Sequence, residues 1–208
     1  MNLLPAIERP ETPVAEVADL IYATGPSSYG YQFDGRKLFD ALVHRSWILP
    51  GSLFAADATT LAVEGDELAG IEIGFHGPEF NERKEPLGSL WADIIEKGEA
   101  TPEDLRGLGR RVRLAAWLNP VIPNDVYYIH AISVKASFRG RKVGLALMQA
   151  AIERARASGF RAVQLDVLSD NPAVQFYRSL GYECLVESRG PIPAEHGVPM
   201  EMRMELRL

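Results

Sequence analysis

Between Val126 and Leu168 the chain reads as strand, helix and strand, and no other stretch narrows the available folds so far. "VYYIHAISV" is dense in β-branched and aromatic residues and predicts a strand. "RKVGLALMQAAIERARASG" has helical spacing and is closed by Gly159, and "RAVQLDVL" predicts a second strand. Two strands joined through a helix run parallel in one sheet, with a right-handed crossover. At the turn into that helix, "SVKASFRGRKVG" gathers Arg139, Arg141 and Lys142 around Gly140 and Gly144, in a chain of formal net charge −6. A helix N-terminus presents free backbone N–H groups and a partial positive charge, so the bend predicts an anion site. A solvated basic loop is the plain alternative.

The flanking segments extend the pattern. "LLPAIE" reads as a short strand, and "ETPVAEVADLIYATG" as a helix with Thr12 as its N-cap and Gly25 past its end. "FDGRKLFDALVHRSWIL" predicts a helix burying Leu38, Leu42 and Val43, and "TTLAVEGDELAGIEIGFHG" a hairpin turning at Gly65-Asp66. Residues 77 to about 124 predict two helices, the second opened by Thr101 with Asp104 three residues on, as a helical insertion within a single domain spanning 1–208. Trp91 and Trp117 are expected to face its core, and Arg110 to Arg113 to form a solvated face. "NPAVQFYRSLG" is a short helix capped by Asn171 and closed by Gly181. The tail "MEMRMELRL" alternates, with Met200, Met202, Met204, Leu206 and Leu208 on one face and Glu and Arg on the other. It predicts a half-buried strand.

Composition excludes several functions. A content of 47% hydrophobic and 24% charged residues suits a globular core. The negative balance argues against a nucleic-acid partner held by a broad basic surface. No run approaches the ~18 apolar residues of a membrane span, and "MNLLPAIERPETP" lacks the pattern of a signal peptide, so a cytoplasmic protein without a membrane partner is expected. Cys184 is the only cysteine and is expected to pack in its apolar run. His44, His76 and His196 are too scattered to suggest a metal site. The bend is not a nucleoside-triphosphate loop, because Gly144 is followed by Leu145 and Ala146. It also lacks the three glycines of a dinucleotide fingerprint.

Twenty-seven residues after Gly144 begins "NPAVQFYRSLGYE". Taken together, Val134 with Arg139-Gly140-Arg141-Lys142-Val143-Gly144, and Asn171, Ala173, Phe176-Tyr177 and Gly181-Tyr182, resemble the pyrophosphate loop and the later cofactor-side motif of the GNAT superfamily of N-acetyltransferases. The resemblance implies an α/β fold: a mixed, mostly antiparallel sheet of about seven strands flanked by helices, with one splayed parallel pair. It implies acetyl-CoA as cofactor, a small-molecule amine or a peptide as acceptor, and direct attack within a ternary complex. One departure stands out. Lys142 occupies the place of the loop's first glycine, and lysine tolerates positive φ poorly, so a different bend is expected there.

The resemblance also assigns roles. A backbone N–H among Ile132, Ser133 and Val134 would face the thioester oxygen, and Asn171 would bond the pantetheine amide. Tyr177 is the candidate general acid, with aromatic packing as its other reading. Strict alternation puts Tyr128, His130, Ile132 and Val134 on one face of their strand, making His130 a candidate base where some relatives carry a glutamate. A satisfied core histidine is the alternative, and Glu72 is the fallback base. Tyr29, Tyr31 and Trp47 are the expected acceptor-side aromatics, unless they only pack the helix joint. A non-catalytic acyl-CoA sensor, an interaction module and a homodimer stay open.

Overall fold

The computed structural model of the chain describes residues 1–118 and 121–208, apart from the side chain of Trp117, whose expected place in the core falls outside the described residues. The strands are β1 (Asn2–Pro5), β2 (Thr59–Glu64), β3 (Glu67–His76), β4 (Val126–Val134), β5 (Ala162–Leu168), β6 (Glu183–Ser188) and β7 (Glu201–Arg207). They form one seven-stranded sheet in the order β1-β2-β3-β4-β5-β7-β6. All neighbours are antiparallel except β4 and β5, as expected. The parallel pairing runs only from Val126↔Ala162 to Ile129↔Leu165, after which the two strands part.

The helices are α1 (Val14–Tyr22), α2 (Pro26–Phe33), α3 (Arg36–Trp47), α4 (Glu79–Glu82), α5 (Trp91–Glu96), α6 (Pro102–Ala115), α7 (Val143–Ala157), α8 (Ala173–Ser179) and α9 (Pro191–Glu195). Packing divides them between the faces of the sheet. Met148, Ala151 and Ile152 of α7 and Tyr177 of α8 bury against Ile129, Leu165 and Met204. Residues of α1 to α5 bury against Ile71, Ile73, Tyr128 and Ala131 on the opposite face. The capping box predicted at Thr101 is formed: Asp104 N–H donates to Thr101 Oγ1 (3.2 Å), and Thr101 N–H donates to Asp104 Oδ2 (2.7 Å).

Several expectations are corrected. Thr12 does not cap α1; its buried hydroxyl donates to the Arg9 carbonyl at 2.7 Å, and Pro13 takes the cap position. "SSYGYQF" is a helix of its own, opened by Pro26 and stopped where Asp34 and Gly35 turn to positive φ. The polar face of β7 is not solvated: Arg203 and Glu205 are buried as pairs with Asp166, Gln164 and Arg161. Cys184 is exposed, because β6 is an edge strand whose residues from Glu183 to Glu187 all face solvent.

The correction that matters most lies in β4. Ile73 pairs with Ala131 and Gly74 with Ile129, so His130 is an extra residue bulged out of the ladder. The bulge shifts the alternation by one. Tyr128, His130 and Ala131 face the α1–α3 side, while Ile132 and Val134 pack toward α7 instead of sharing a face with His130.

Candidate active site

The bend between β4 and α7 is built by two left-handed residues. Gly140 (φ 74°) adopts that conformation freely. Lys142 (φ 63°) adopts it as well, so the lysine follows the path a glycine would take, contrary to the bend expected from its side chain. The Ala146 N–H makes the first helical bond, to the Lys142 carbonyl at 3.0 Å, which leaves the N–H groups of Val143, Gly144 and Leu145 without partners in the helix. Left-handed lysine is disfavoured by roughly 1–2 kcal/mol. Lys142→Gly is therefore expected to raise stability by about 1 kcal/mol, read as a higher Tm. A lower Tm would contradict the strain.

The bend forms one end of a cleft of about 1630 Å³ that continues between the parting strands to the α1–α3 side. Arg139, Gly140, Lys142, Val143 and Gly144 line it. Arg141 does not; its guanidinium pairs with Glu64 and lies 5.0 Å from the Phe138 ring centre. Ile132, Ser133 and Val134 line the gap itself. Lys135 N–H donates to the Ala69 carbonyl on β3, at 2.9 Å. Strand alternation therefore turns the N–H groups of Val134 and Ile132 the other way, into the gap that β5 has left. Donors fixed in position and stripped of strand partners can stabilise an oxyanion without reorganising.

Across the gap, Asn171 Oδ1 accepts the Ala173 N–H (2.9 Å) at the start of α8, while Nδ2 donates to the Thr24 carbonyl (3.4 Å). Tyr177 lines the same cleft, and its ring centre lies 5.9 Å from that of Tyr182. Burial pushes its phenol well above the usual tyrosine range, so the proton stays on oxygen at neutral pH.

On the far side of the gap, His130 projects from the bulge into a box of rings: Phe54 at 5.6 Å, Phe80 at 5.7 Å and Phe75 at 6.2 Å between centres. Its Nε2 is buried without a hydrogen-bond partner. Burial, with a smaller push from Lys84, lowers its pKa to about 4. The imidazole is therefore uncharged at neutral pH, because burial disfavours its protonated form.

The predicted residues do not all meet here. Tyr29 lines the cleft, and burial raises its pKa to about 12. Trp47, expected beside it, is only 4% exposed and belongs to the core under α3. Tyr31 lies apart, 5.2 Å from the His196 ring centre and packed against Leu118 and Leu168. Glu72 sits on the opposite face of the sheet, fully buried, held by Arg154 (2.6 Å) and the Tyr127 hydroxyl (3.0 Å). That ion pair satisfies it and takes it out of reach of the cleft, so it is no fallback base. Sequence reasoning missed Asp166 and Glu201, which line the cleft from β5 and β7. Their one signal was parity: each lies between two apolar neighbours along an alternating strand.

The model of the Acetyltransferase (GNAT) family matches residues 54–182, a span that includes the bend, the parted strands, His130 and Tyr177. The chain belongs to the GNAT family of acetyltransferases. Over 68 residues it is 43% identical to an uncharacterized N-acetyltransferase of Methanocaldococcus jannaschii, a match spanning 32% of this chain and 30% of that protein. The fold is similar to that of an N-acetyltransferase from Staphylococcus aureus Mu50, with a TM-score of 0.74 at 17% identity over 99% of this chain and 100% of that one. A crystal structure of an acetyltransferase covers 100% of this chain, and 99% of its own, with a TM-score of 0.69 at 20% identity. Among the described residues, no helix is long and apolar enough to cross a membrane.

Proposed function

We propose that the protein transfers an acetyl group from acetyl-CoA to a primary amine, by direct attack in a ternary complex. The observation that carries this is the continuity of the cleft. A basic, N–H-lined bend, a gap with two free strand amides and an uncharged histidine whose Nε2 is buried follow one another along a single channel. These residues suit acetyl-CoA. Arg139, Lys142 and the first-turn N–H groups of α7 would hold its pyrophosphate, and Asn171 would take the pantetheine amide. When bound, acetyl-CoA supplies an activated acyl carbon and a thiolate leaving group.

The chain's own groups then divide the work. The N–H groups of Ile132 and Val134 polarise the thioester oxygen and stabilise its negative charge as the carbon–nitrogen bond forms. His130 Nε2 accepts the proton that the attacking amine must lose. Tyr177 would donate its phenolic proton to the departing sulfur, and the proton taken up by His130 would return to the phenolate through water, which leaves both groups as they began. Phe54, Phe75 and Phe80 exclude water from the histidine side, which limits hydrolysis of the thioester.

Thiol release measured with acetyl-CoA and a panel of primary amines tests the reading. Initial-rate lines should intersect when both substrates are varied. Parallel lines would indicate a covalent acyl-enzyme and contradict the direct attack. Acetyl-CoA binding with no turnover on any amine would favour the sensor reading instead.

A further inference from the structure

The cleft holds a second group of ionisable side chains, on the strands that border the gap from the β5 side. Asp166 and Arg203 are cross-strand partners on β5 and β7, and Glu201 lies two residues before Arg203, opposite Leu168. Residues two apart share a strand face, so Glu201, Arg203 and Asp166 stand together. Asp166 is satisfied: Arg203 Nη2 donates to its Oδ2 at 2.8 Å, and the Tyr128 hydroxyl donates to the same oxygen at 2.9 Å. Glu201 is not. Its Oε2 is buried with no hydrogen-bond partner, while the side chain lines the cleft.

Two carboxylates share one guanidinium on this face, and Arg203 is held by Asp166, so Glu201 has no cation of its own; a cation bound beside it would favour its ionised form. A buried carboxylate without a partner is costly, and an apolar residue here would be more stable. Burial and the neighbouring Asp166 carboxylate push the Glu201 carboxyl well above the usual range, the electrostatic counterpart of that missing partner. Phe80, Trp91, Leu105 and Leu108 give the chamber an apolar and aromatic wall, with Lys84, whose ammonium lies 4.0 Å from the Phe80 ring centre, and Glu85 as charged residues beside it. Tyr29 contributes a further ring close enough for Glu201 to raise its pKa.

We propose that Glu201, backed by Asp166, is a subsite for a positively charged group of the acceptor, and that the acceptor is an amphipathic amine whose apolar body lies against Phe80, Trp91 and Leu108. The ammonium supplies the charge and the N–H donors that Glu201 lacks, and the rings add cation–π and apolar contact. This deepens the acyl-transfer reading by naming its acceptor class.

Binding alone tests it, without turnover. Phenethylamine is the cationic probe, 2-phenylethanol its neutral counterpart, and calorimetry at pH 7.5 the readout. The wild-type protein should prefer phenethylamine by about tenfold, with a preference that shrinks as salt rises. Glu201→Gln keeps the shape and removes the charge. It has no hydrogen bond of Oε2 to lose, so it should fold with an equal or higher Tm, bind both probes alike and bind acetyl-CoA within about twofold of wild type. No preference in the wild-type protein would overturn the subsite, as would an undiminished preference in Glu201→Gln. Because the wild-type salt series needs no variant, the test stands even if the substitution perturbs folding. Failure of acetyl-CoA to bind would instead count against the acyl-transfer reading, so the two failures are distinguishable.

Discussion

Gly144→Glu is expected to weaken acetyl-CoA binding by about a hundredfold or more while the protein stays folded. Gly144 lies in the first turn of α7, and its φ is not positive, so the backbone accepts a side chain. A Cβ there would meet Val134 Cγ2 at 3.5 Å, an ordinary contact at the mouth of the gap. The remaining atoms of the glutamate must then project into the cleft, placing a carboxylate where the pyrophosphate should sit among Arg139, Lys142 and the free N–H groups. Like charges at about 4 Å repel by roughly 1–4 kcal/mol between bulk water and a protein surface, and the lost donors add to this. Calorimetric titration with acetyl-CoA checks it, alongside a thermal melt. An unchanged affinity in a folded variant would remove the bend from the cofactor site.

The second large effect concerns Tyr177. The ring is 6% exposed and packs among Phe176, Tyr182 and the α7 side of the sheet, so Tyr177→Phe keeps the packing and removes only the hydroxyl. If that hydroxyl protonates the departing thiolate, kcat should fall by roughly ten- to a thousandfold, with acetyl-CoA affinity nearly constant. A loss confined to KM would return Tyr177 to a packing role.

How much of this was legible in the sequence depends on which physical signal carries each element. The parallel pair could be read because strand, helix and strand in that order leave the chain one common solution. The Thr101–Asp104 box could be read because a reciprocal cap needs only local residues. The bulge at His130 could not. One extra residue in a strand leaves no mark in composition, yet it puts Ile132 and His130 on opposite faces of the sheet. Glu72 was read only as a fallback base, because nothing in its own strand points to Arg154 on α7 as its partner. Trp47 fell on the same helix face as Leu42 and Val43, and burial there outweighed any role for the indole at the cleft. The apolar run around Cys184 predicted burial, whereas its position at the sheet edge, a property of topology, exposes it. Glu201 and Arg203 read as solvent-facing because a polar parity in a terminal strand is ordinarily solvated. Only the cross-strand partners reveal them as interior charges.

The gap between β4 and β5, with the bend beyond it, is the proposed acetyl-CoA site. Titration of acetyl-CoA into ¹⁵N-labelled protein, followed by the backbone amide resonances, tests this assignment. Saturable shifts are expected at Ile132 and Val134, from Arg139 through Leu145 and at Asn171, while the amides of the β1–β2 edge stay still. Saturable binding that leaves Ile132, Val134 and the bend unmoved, or no binding at all, would contradict it.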